Sequence, residues 1–327
     1  MAMTFAEYAK HAYEEGKQVL GNIADWTLMN SNLLQIIPWA TNSQLAVKII
    51  AWDSFPTVGT RKINASFSAS EGKFQHKIED KYIFGHYIDI DTVIVDAGNT
   101  IGDVRQNQRK AAAKAMAFKF NNMFINGDPS SDEFKGLKMR VTDSYNAGYT
   151  DQYFNGGSAT TGKGVLYDAT EQHNFLDKIS KLVEVSADSD PSCLMMNSKL
   201  YLCVESATRR TSLLNQTKDM FGRIINMWGT IPIYKLGPVS AFSTTLILPN
   251  NENLNGGTDE TSIYSCKFGE EEYMWGIQQK PMEVIDHGRL ATSSVYRDEV
   301  QWVVGLAINN PRSIVRAYGF VADNGAS

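Results

Sequence analysis

The spacing of apolar positions changes several times along the chain, and each change marks an element. Thr4 and Glu7 carry the S/T-x-x-E spacing of a capping box, and Phe5, Ala9, Ala12, Tyr13, Gly16, Val19 and Leu20 follow at helical intervals. This predicts a short amphipathic helix. Its more apolar continuation from Trp26 to Trp39 ends near Pro38, and so apolar an arm needs a surface to lie on. From Ile63 the period becomes two, through Ala65, Phe67 and Ala69, and after the turn signal Ser70-Glu71-Gly72 it resumes at Phe74, His76 and Ile78. A β-hairpin with one apolar face is predicted. Two strands alone are marginal in water, so this hairpin must pack on its own domain or reach out to cover another molecule.

Tyr82 to Val95 reads as a further strand, and Thr100 with Asp103 caps a long helix from Ile101 to about Ile125, stopped by Asn126-Gly127-Asp128-Pro129. Ala113, Met116, Ala117, Phe120 and Phe124 share one face of that helix. The same face becomes polar at Arg109 and Gln106, which predicts a buried C-terminal half and an N-terminal half that meets solvent or a partner. Asp143 to Lys163 lacks periodicity and reads as a surface loop. Beyond it the pattern predicts helices at Thr170–Val185 and Ser198–Arg209. Strands are predicted at Cys193–Met196, Ile224–Trp228, Ile231–Tyr234, Thr244–Leu248 and Ser262–Cys266. Tyr296, Asp298, Val300, Trp302, Val304 and Leu306 lie on one side of an unusually long strand, which Asn309-Asn310-Pro311 turns before Ile314 to Ala317 returns. A late strand of that length is suited to pack across the long helix. The chain contains no internal repeat.

Composition narrows the function classes. The 327 residues suit one large or two modest domains at roughly 100–200 residues each. With 43% hydrophobic and 20% charged residues the chain is globular rather than disordered or coiled-coil. A formal net charge of −5 leaves no cationic excess for tight nucleic-acid binding by counterion release. Cys193, Cys203 and Cys266 match neither a zinc site nor a disulfide framework, and read as buried thiols of a reducing cytosol. The beginning of the chain has no signal-peptide pattern and no apolar run reaches membrane-spanning length, which implies no membrane and assembly in the cytoplasm.

Candidate chemistry is sparse. Gly157-Ser158-Ala159-Thr160-Thr161-Gly162-Lys163-Gly164 follows the phosphate-loop pattern until Gly164, where a Ser or Thr hydroxyl should reach magnesium, and the pattern predicts neither a strand before it nor a helix after it. Asn251, Asn253, Asn255 and Gly256 resemble half of a calcium loop, but Ser262 stands where the closing Glu belongs. His11, His76, His86, His173 and His287 lack metal-ligand spacing, and Glu270-Glu271-Glu272 reads as a solvated charge run. The expectation is no enzyme, no metal and no cofactor.

Taken together, the capped arm, the hairpin, the long helix ending in Phe124-Ile125-Asn126-Gly127-Asp128, the following Phe134-Lys135-Gly136-Leu137, the mixed α/β region and the terminal segments Trp302-Val303-Val304-Gly305-Leu306-Ala307 and Pro311-Arg312-Ser313-Ile314-Val315-Arg316 resemble the major capsid proteins of tailed bacteriophages, the α+β Hong Kong 97-type fold. The resemblance spans Thr4 to Arg316. It implies an N-terminal arm (1–51) and an extended E-loop (52–84). It implies a peripheral domain whose first part (85–142) holds the spine helix (101–126), and whose second part (281–327) holds the long strand. A loop or insertion (143–164) and an axial domain (165–280) lie between those parts. The implied function is self-assembly into hexamers and pentamers that form an icosahedral head around double-stranded DNA. Packaged DNA would be touched weakly and non-specifically, and scaffolding, portal and decoration proteins are the other implied partners. Because the arm begins close to Met1, scaffolding would be a separate protein. Phe5, Tyr8, Ile63, Phe67, Phe74, Arg105 and Arg109 are the candidate subunit-interface residues. Some relatives join a Lys of the E-loop to an Asn of a neighbour; Lys62, Lys73 and Asn309 or Asn310 suit that chemistry, the plain alternative being exposed lysines. Two other readings are an encapsulin-type compartment shell of the same fold and a nucleotide-binding enzyme using Gly157–Gly164.

Overall fold

A computed structural model describes residues 31–96, 104–158, 163–211, 215–218 and 222–322, with Met3, Thr4, Glu7, Lys10, Glu14 and Thr27 nearer the N-terminus. In chain order the elements are β1 (Met3–Thr4), α1 (Asn32–Ile36), β2 (Pro38–Thr41), β3 (Ala46–Ser54), β4 (Lys73–Asp80), β5 (Tyr82–Asp91), α2 (Thr92–Asp96), α3 (Val104–Asn126), α4 (Leu137–Asn146) and β6 (Tyr153–Asn155). They continue with α5 (Ala169–Val185), β7 (Cys193–Asn197), α6 (Ser198–Arg210), β8 (Asn215–Lys218), β9 (Ile224–Trp228) and β10 (Ile231–Leu236). The last are β11 (Glu260–Cys266), β12 (Met274–Gln278), β13 (Glu283–Arg289), β14 (Val295–Ile308) and β15 (Ile314–Val321).

Two larger sheets organise the chain. In one, β14 runs antiparallel to β5 along one edge and to β13 and β12 along the other, while β2 adds parallel to β12 and β1 closes on β2. In the other the order is β6-β15-β11-β7-β10-β9-β8. From Asp298 to Val304 the long strand behaves as its alternation predicts, with Asp298, Val300, Trp302 and Val304 buried and Glu299, Gln301 and Val303 between them less so, whereas Val304 to Ile308 is buried on both sides. Its buried side lies across α3. The Trp302 ring sits 5.8 Å from that of Phe120 and 4.7 Å from that of Trp39, and Phe134 approaches Phe120 at 5.9 Å. These aromatics form the centre of the main core, and Trp302 Nε1 donates to Gln278 Oε1 at 2.9 Å, so the ring is both packed and polar-satisfied. A second core fills the other sheet beneath α5 and α6.

The end of α3 explains the Phe-Ile-Asn-Gly-Asp and Phe-Lys-Gly-Leu pair. Residues 134–136 fold back against the last turn, and Gly136 N–H donates to Gly127 O at 2.9 Å. A Cβ on Gly127 would lie 2.2 Å from Phe134 O, and one on Gly136 would lie 2.5 Å from Gly127 N. Only hydrogen fits in either place, so the spacing is a backbone-contact requirement.

Several expectations are corrected. The apolar stretch ending at Trp39 is not one helix in its described part: α1 is five residues, and Trp39 lies in β2. The surface it needs is the subunit's own core, where Leu33, Leu34, Ile37 and Trp39 are buried. The hairpin exists, but the partner of β4 is β3 rather than Ile63–Ala69. Asn64, at φ 68, leaves the extended region and breaks that alternation. Asp143–Lys163 is not wholly loop, because α4 runs through Asn146 and Tyr153–Asn155 pairs parallel with β15. Thr244–Leu248 forms only one bridge, Pro238 to Leu246; Ile247 and Leu248 are instead buried against the main core. β15 does not return beside β14 but joins β11 in the other sheet, and β12 joins β14, so the sheets cross the expected boundary at residue 280. The α3 cap at Thr100 and Asp103 lies outside the described residues.

The aromatic cluster makes a direct prediction. Trp302→Ala should lower the stability of dispersed subunits by about 3–5 kcal/mol in denaturant titration, whereas a loss below 1 kcal/mol would mean that the helix and strand are held by something else.

Candidate subunit interface

Every described side chain from Ser54 to Glu71 is exposed. Among them Phe55 is 76%, Val58 93%, Ile63 92% and Phe67 64% accessible, and on β4 Phe74 and Ile78 follow at 56% and 69%. Among the described residues β3 pairs with β4 alone, so the ribbon has no third strand. The connection still has order. Ser70 Oγ donates to Thr57 O at 2.9 Å, Arg61 Nη1 donates to Ala65 O at 3.3 Å, and the same guanidinium lies 5.2 Å from the Phe67 ring centre.

Where the ribbon meets the body, the attachment is polar and buried. Arg140, from α4, donates to both carboxylate oxygens of Glu79 on β4 at 2.7 and 2.8 Å, to Lys135 O at 2.8 Å and to Leu306 O on β14 at 2.7 Å. Lys81, between β4 and β5, places its ammonium against Asn42 O, Gln44 O and Gln278 O at 2.5, 2.9 and 3.1 Å; burial pulls its pKa down. Ile49 packs with Trp275, Ile277 and Ala307 in a small separate core beneath the foot. Each cation satisfies backbone carbonyls that would otherwise be stranded where strands diverge, so the foot is rigid while the tip is uncovered.

Of the predicted interface residues, Ile63, Phe67 and Phe74 lie together on this exposed ribbon. Phe5 and Tyr8 lie outside the described residues, although the Thr4–Glu7 capping box is present: Thr4 N–H donates to Glu7 Oε2 at 2.8 Å and Glu7 N–H to Thr4 Oγ1 at 3.3 Å. Arg105 and Arg109 are directed inward, contrary to the expectation of a face left for solvent or a partner. Arg109 grips Asp298 through Nε and Nη2 at 2.8 and 2.9 Å, and Arg105 binds the same carboxylate and Asp286. Asp298 is 1% exposed, and two guanidinium groups offset the cost of burying its charge. The polar half of the helix face is therefore matched to one acidic residue of the long strand. Phe55, Val58, Ile78, Lys81 and Arg140 were missed as interface or anchoring residues; of these only Ile78 stands in a patterned position.

Among the described residues no group of three or more His, Cys, Asp or Glu could hold a metal. Gly157 does follow a strand, β6, but α5 begins only at Ala169 with its own cap on Asp168, and Gly157 N–H is taken by Asn155 Oδ1 at 2.8 Å. The interior of the calcium-like loop holds the Glu260 carboxylate, which accepts from Asn255 N–H and Gly257 N–H. The three cysteines are buried and free; burial, reinforced by Cys193 across the strand pair, pushes the Cys266 thiol well above its ordinary pKa. Lys62 and Lys73 are exposed, Asn309 donates to Glu271 O, and Asn310 caps Arg312. No described helix is long and apolar enough to cross a membrane.

Comparison with known proteins agrees with this geometry. Residues 14–167, containing the ribbon, α3 and the glycine-paired turn, match the family model Major capsid protein GP7. No curated protein matches the chain. Among solved structures, the SrpI encapsulin complex of Synechococcus elongatus has a TM-score of 0.61 at 13% identity, over 89% of this chain and 87% of that one. The capsid of an empty GTA particle has 0.58 at 13% identity, over 89% and 90%. Mycobacterium phage Bobi has 0.59 at 9% identity, over 88% and 89%. At these identities the likeness establishes the fold, which is the Hong Kong 97-type capsid fold.

The Asp286 carboxylate makes a pH prediction. Burial pushes it upward, but Gly288 N–H, Arg105 and Arg109 outweigh that and hold it below its ordinary value. A carboxyl with a depressed folded pKa contributes stability in full above its unfolded pKa, about 3.9, and loses it as pH falls through the folded value. The stability gap between the native chain and Asp286→Asn should therefore be constant near neutrality and close below about pH 4; a pH-independent gap would contradict the pairing.

Proposed function

We infer that this chain is the major capsid protein of a tailed bacteriophage, a structural protein whose copies assemble into a closed shell. The observation that carries this reading is the conjunction of the family match over 14–167 with a ribbon inside the matched segment that is anchored at its foot and carries exposed apolar side chains at Phe55, Val58, Ile63, Phe67, Phe74 and Ile78. Copies associate as hexamers and pentamers, and the shell is icosahedral and encloses double-stranded DNA. Ile63, Phe67 and Phe74, joined by Phe55, Val58 and Ile78, become buried on neighbouring subunits, and many such weak contacts act together when the shell closes. The domain containing α3 and β14 lies at the periphery of each capsomer. The sheet from β6 to β8 is axial, with the segments before β3 forming the arm. Assembly takes place in the host cytoplasm, with scaffolding, portal and decoration proteins as partners, and DNA is held only by weak contact, as suits a net charge of −5.

The structural likeness to an encapsulin supports a second reading, a compartment shell with protein cargo. The contents separate the two: nuclease-protected DNA inside purified particles supports the phage capsid, and enzyme cargo without DNA supports the compartment.

Deleting residues 58–69 tests the role of the ribbon, because Thr57 and Ser70 already touch and can be joined by a short turn. The shortened subunit should keep its stability within about 0.5 kcal/mol and form no closed particles in electron micrographs, while the intact chain forms shells of uniform diameter. Normal shells from the deletion would reject the interface, and an intact chain that stays monomeric would reject the capsid assignment.

A further inference from the structure

The sequence contains four Asn-Gly pairs, Asn126-Gly127, Asn155-Gly156, Asn255-Gly256 and Asn324-Gly325, the last outside the described residues. Such a pair is chemically unstable when the glycine amide can reach the preceding side chain, because glycine has no Cβ to obstruct the approach. The fold treats the three described pairs differently. Gly127 is buried, its N–H is held by Met123 O at 2.8 Å, and a Cβ there would be 2.2 Å from Phe134 O. Gly156 is buried, its N–H is held by Tyr318 O at 2.8 Å, and a Cβ there would be 2.2 Å from the Phe320 ring. Gly256 is exposed at φ +84, has no atom within 4 Å of a Cβ position, and among the described residues has no backbone acceptor for its N–H.

We propose that Asn255 is a site of spontaneous deamidation, set apart from the other described Asn-Gly pairs by the free Gly256 amide and by the hydrogen bond on its own carbonyl. That bond comes from Asn155, whose Nδ2 donates to Asn255 Oδ1 at 2.5 Å, in position to stabilise the oxyanion that develops when Cγ is attacked. Gly256 N loses its proton to hydroxide and bonds to Asn255 Cγ; the Cγ–Nδ2 bond breaks and ammonia leaves, giving a five-membered imide. Water then opens either imide carbonyl to give aspartate or isoaspartate. The net change consumes one water and releases one ammonia, and no oxidant or reductant is involved.

The product has structural consequences. Asn255 N–H is one of two donors to the buried Glu260 carboxylate, at 2.6 Å, and Asn255 Cβ would be 3.0 Å from a Cβ on Gly319 of β15. A new carboxylate at 255 stands beside Glu260, and isoaspartate adds a methylene to the backbone of a turn that depends on its register. The tip that ties β6 to β11 and β15 loosens as the protein ages.

Purified full-length protein, held in mildly alkaline buffer at physiological temperature and peptide-mapped by mass spectrometry over time, tests this. Reaching the imide from Asn126 or Asn155 first requires breaking the glycine hydrogen bond, so Asn255 should convert about tenfold faster than either. Its product should be a mixture of aspartate and isoaspartate, and Gly256→Ala should slow the conversion. Conversion at Asn126 or Asn155 as fast as at Asn255, or an Asn255 that keeps its amide while either of those loses its own, would overturn the proposal.

Discussion

A two-stranded ribbon cannot cover both of its own faces, and this constraint shapes the rest of the molecule. Among the described residues β3 and β4 pair only with each other, and the eighteen-residue connection between them has every side chain in solvent. Large apolar side chains in such a place would be a liability in a monomer, because burying them is the dominant favourable term available to the chain. The structure leaves them exposed and fixes the place where the ribbon joins the body.

That fixing is specific. Arg140 and Lys81 are cations used as backbone clamps, each collecting carbonyl oxygens from segments that diverge at the foot of the ribbon. Behind them, α3 and β14 are locked by aromatic packing at Phe120 and Trp302 and by the Asp298 pair of arginines at the other end. The ribbon is therefore carried on a stiff support. Stiffness matters for assembly, since a projection held at a defined angle reaches its neighbour without losing much conformational freedom on binding.

The parts legible in the sequence were those with long, unmixed periodicity. α3, α5, α6, β9 and the fourteen-residue β14 fall close to where apolar spacing puts them. The glycine pair at 127 and 136 was visible as a motif, and its reason, a backbone contact, became visible only in the fold. Non-local pairing was hidden. β3 reads as an apolar run without alternation, so the partner of β4 was placed at Ile63–Ala69, and nothing local marks β15 as joining β11 instead of β14. Arg105 and Arg109 illustrate the limit for the site: a polar break in a helix face shows that something polar lies opposite, but only the fold shows that it is Asp298 of the same chain. Lys81 and Arg140 carry no local pattern, because their partners, main-chain oxygens and for Arg140 also the Glu79 carboxylate, lie mostly far from them in sequence.

The central claim is that the outer ribbon is completed by other copies of the chain. Amide hydrogen exchange across residues 55–72, compared between dispersed subunits and assembled particles, measures this directly. Exchange near the unstructured rate in dispersed subunits, with strong slowing confined to this segment and its receiving surface on assembly, is the predicted result. Equal protection in both states would show that the ribbon is either covered within one subunit or left uncovered in the particle, and would contradict the account.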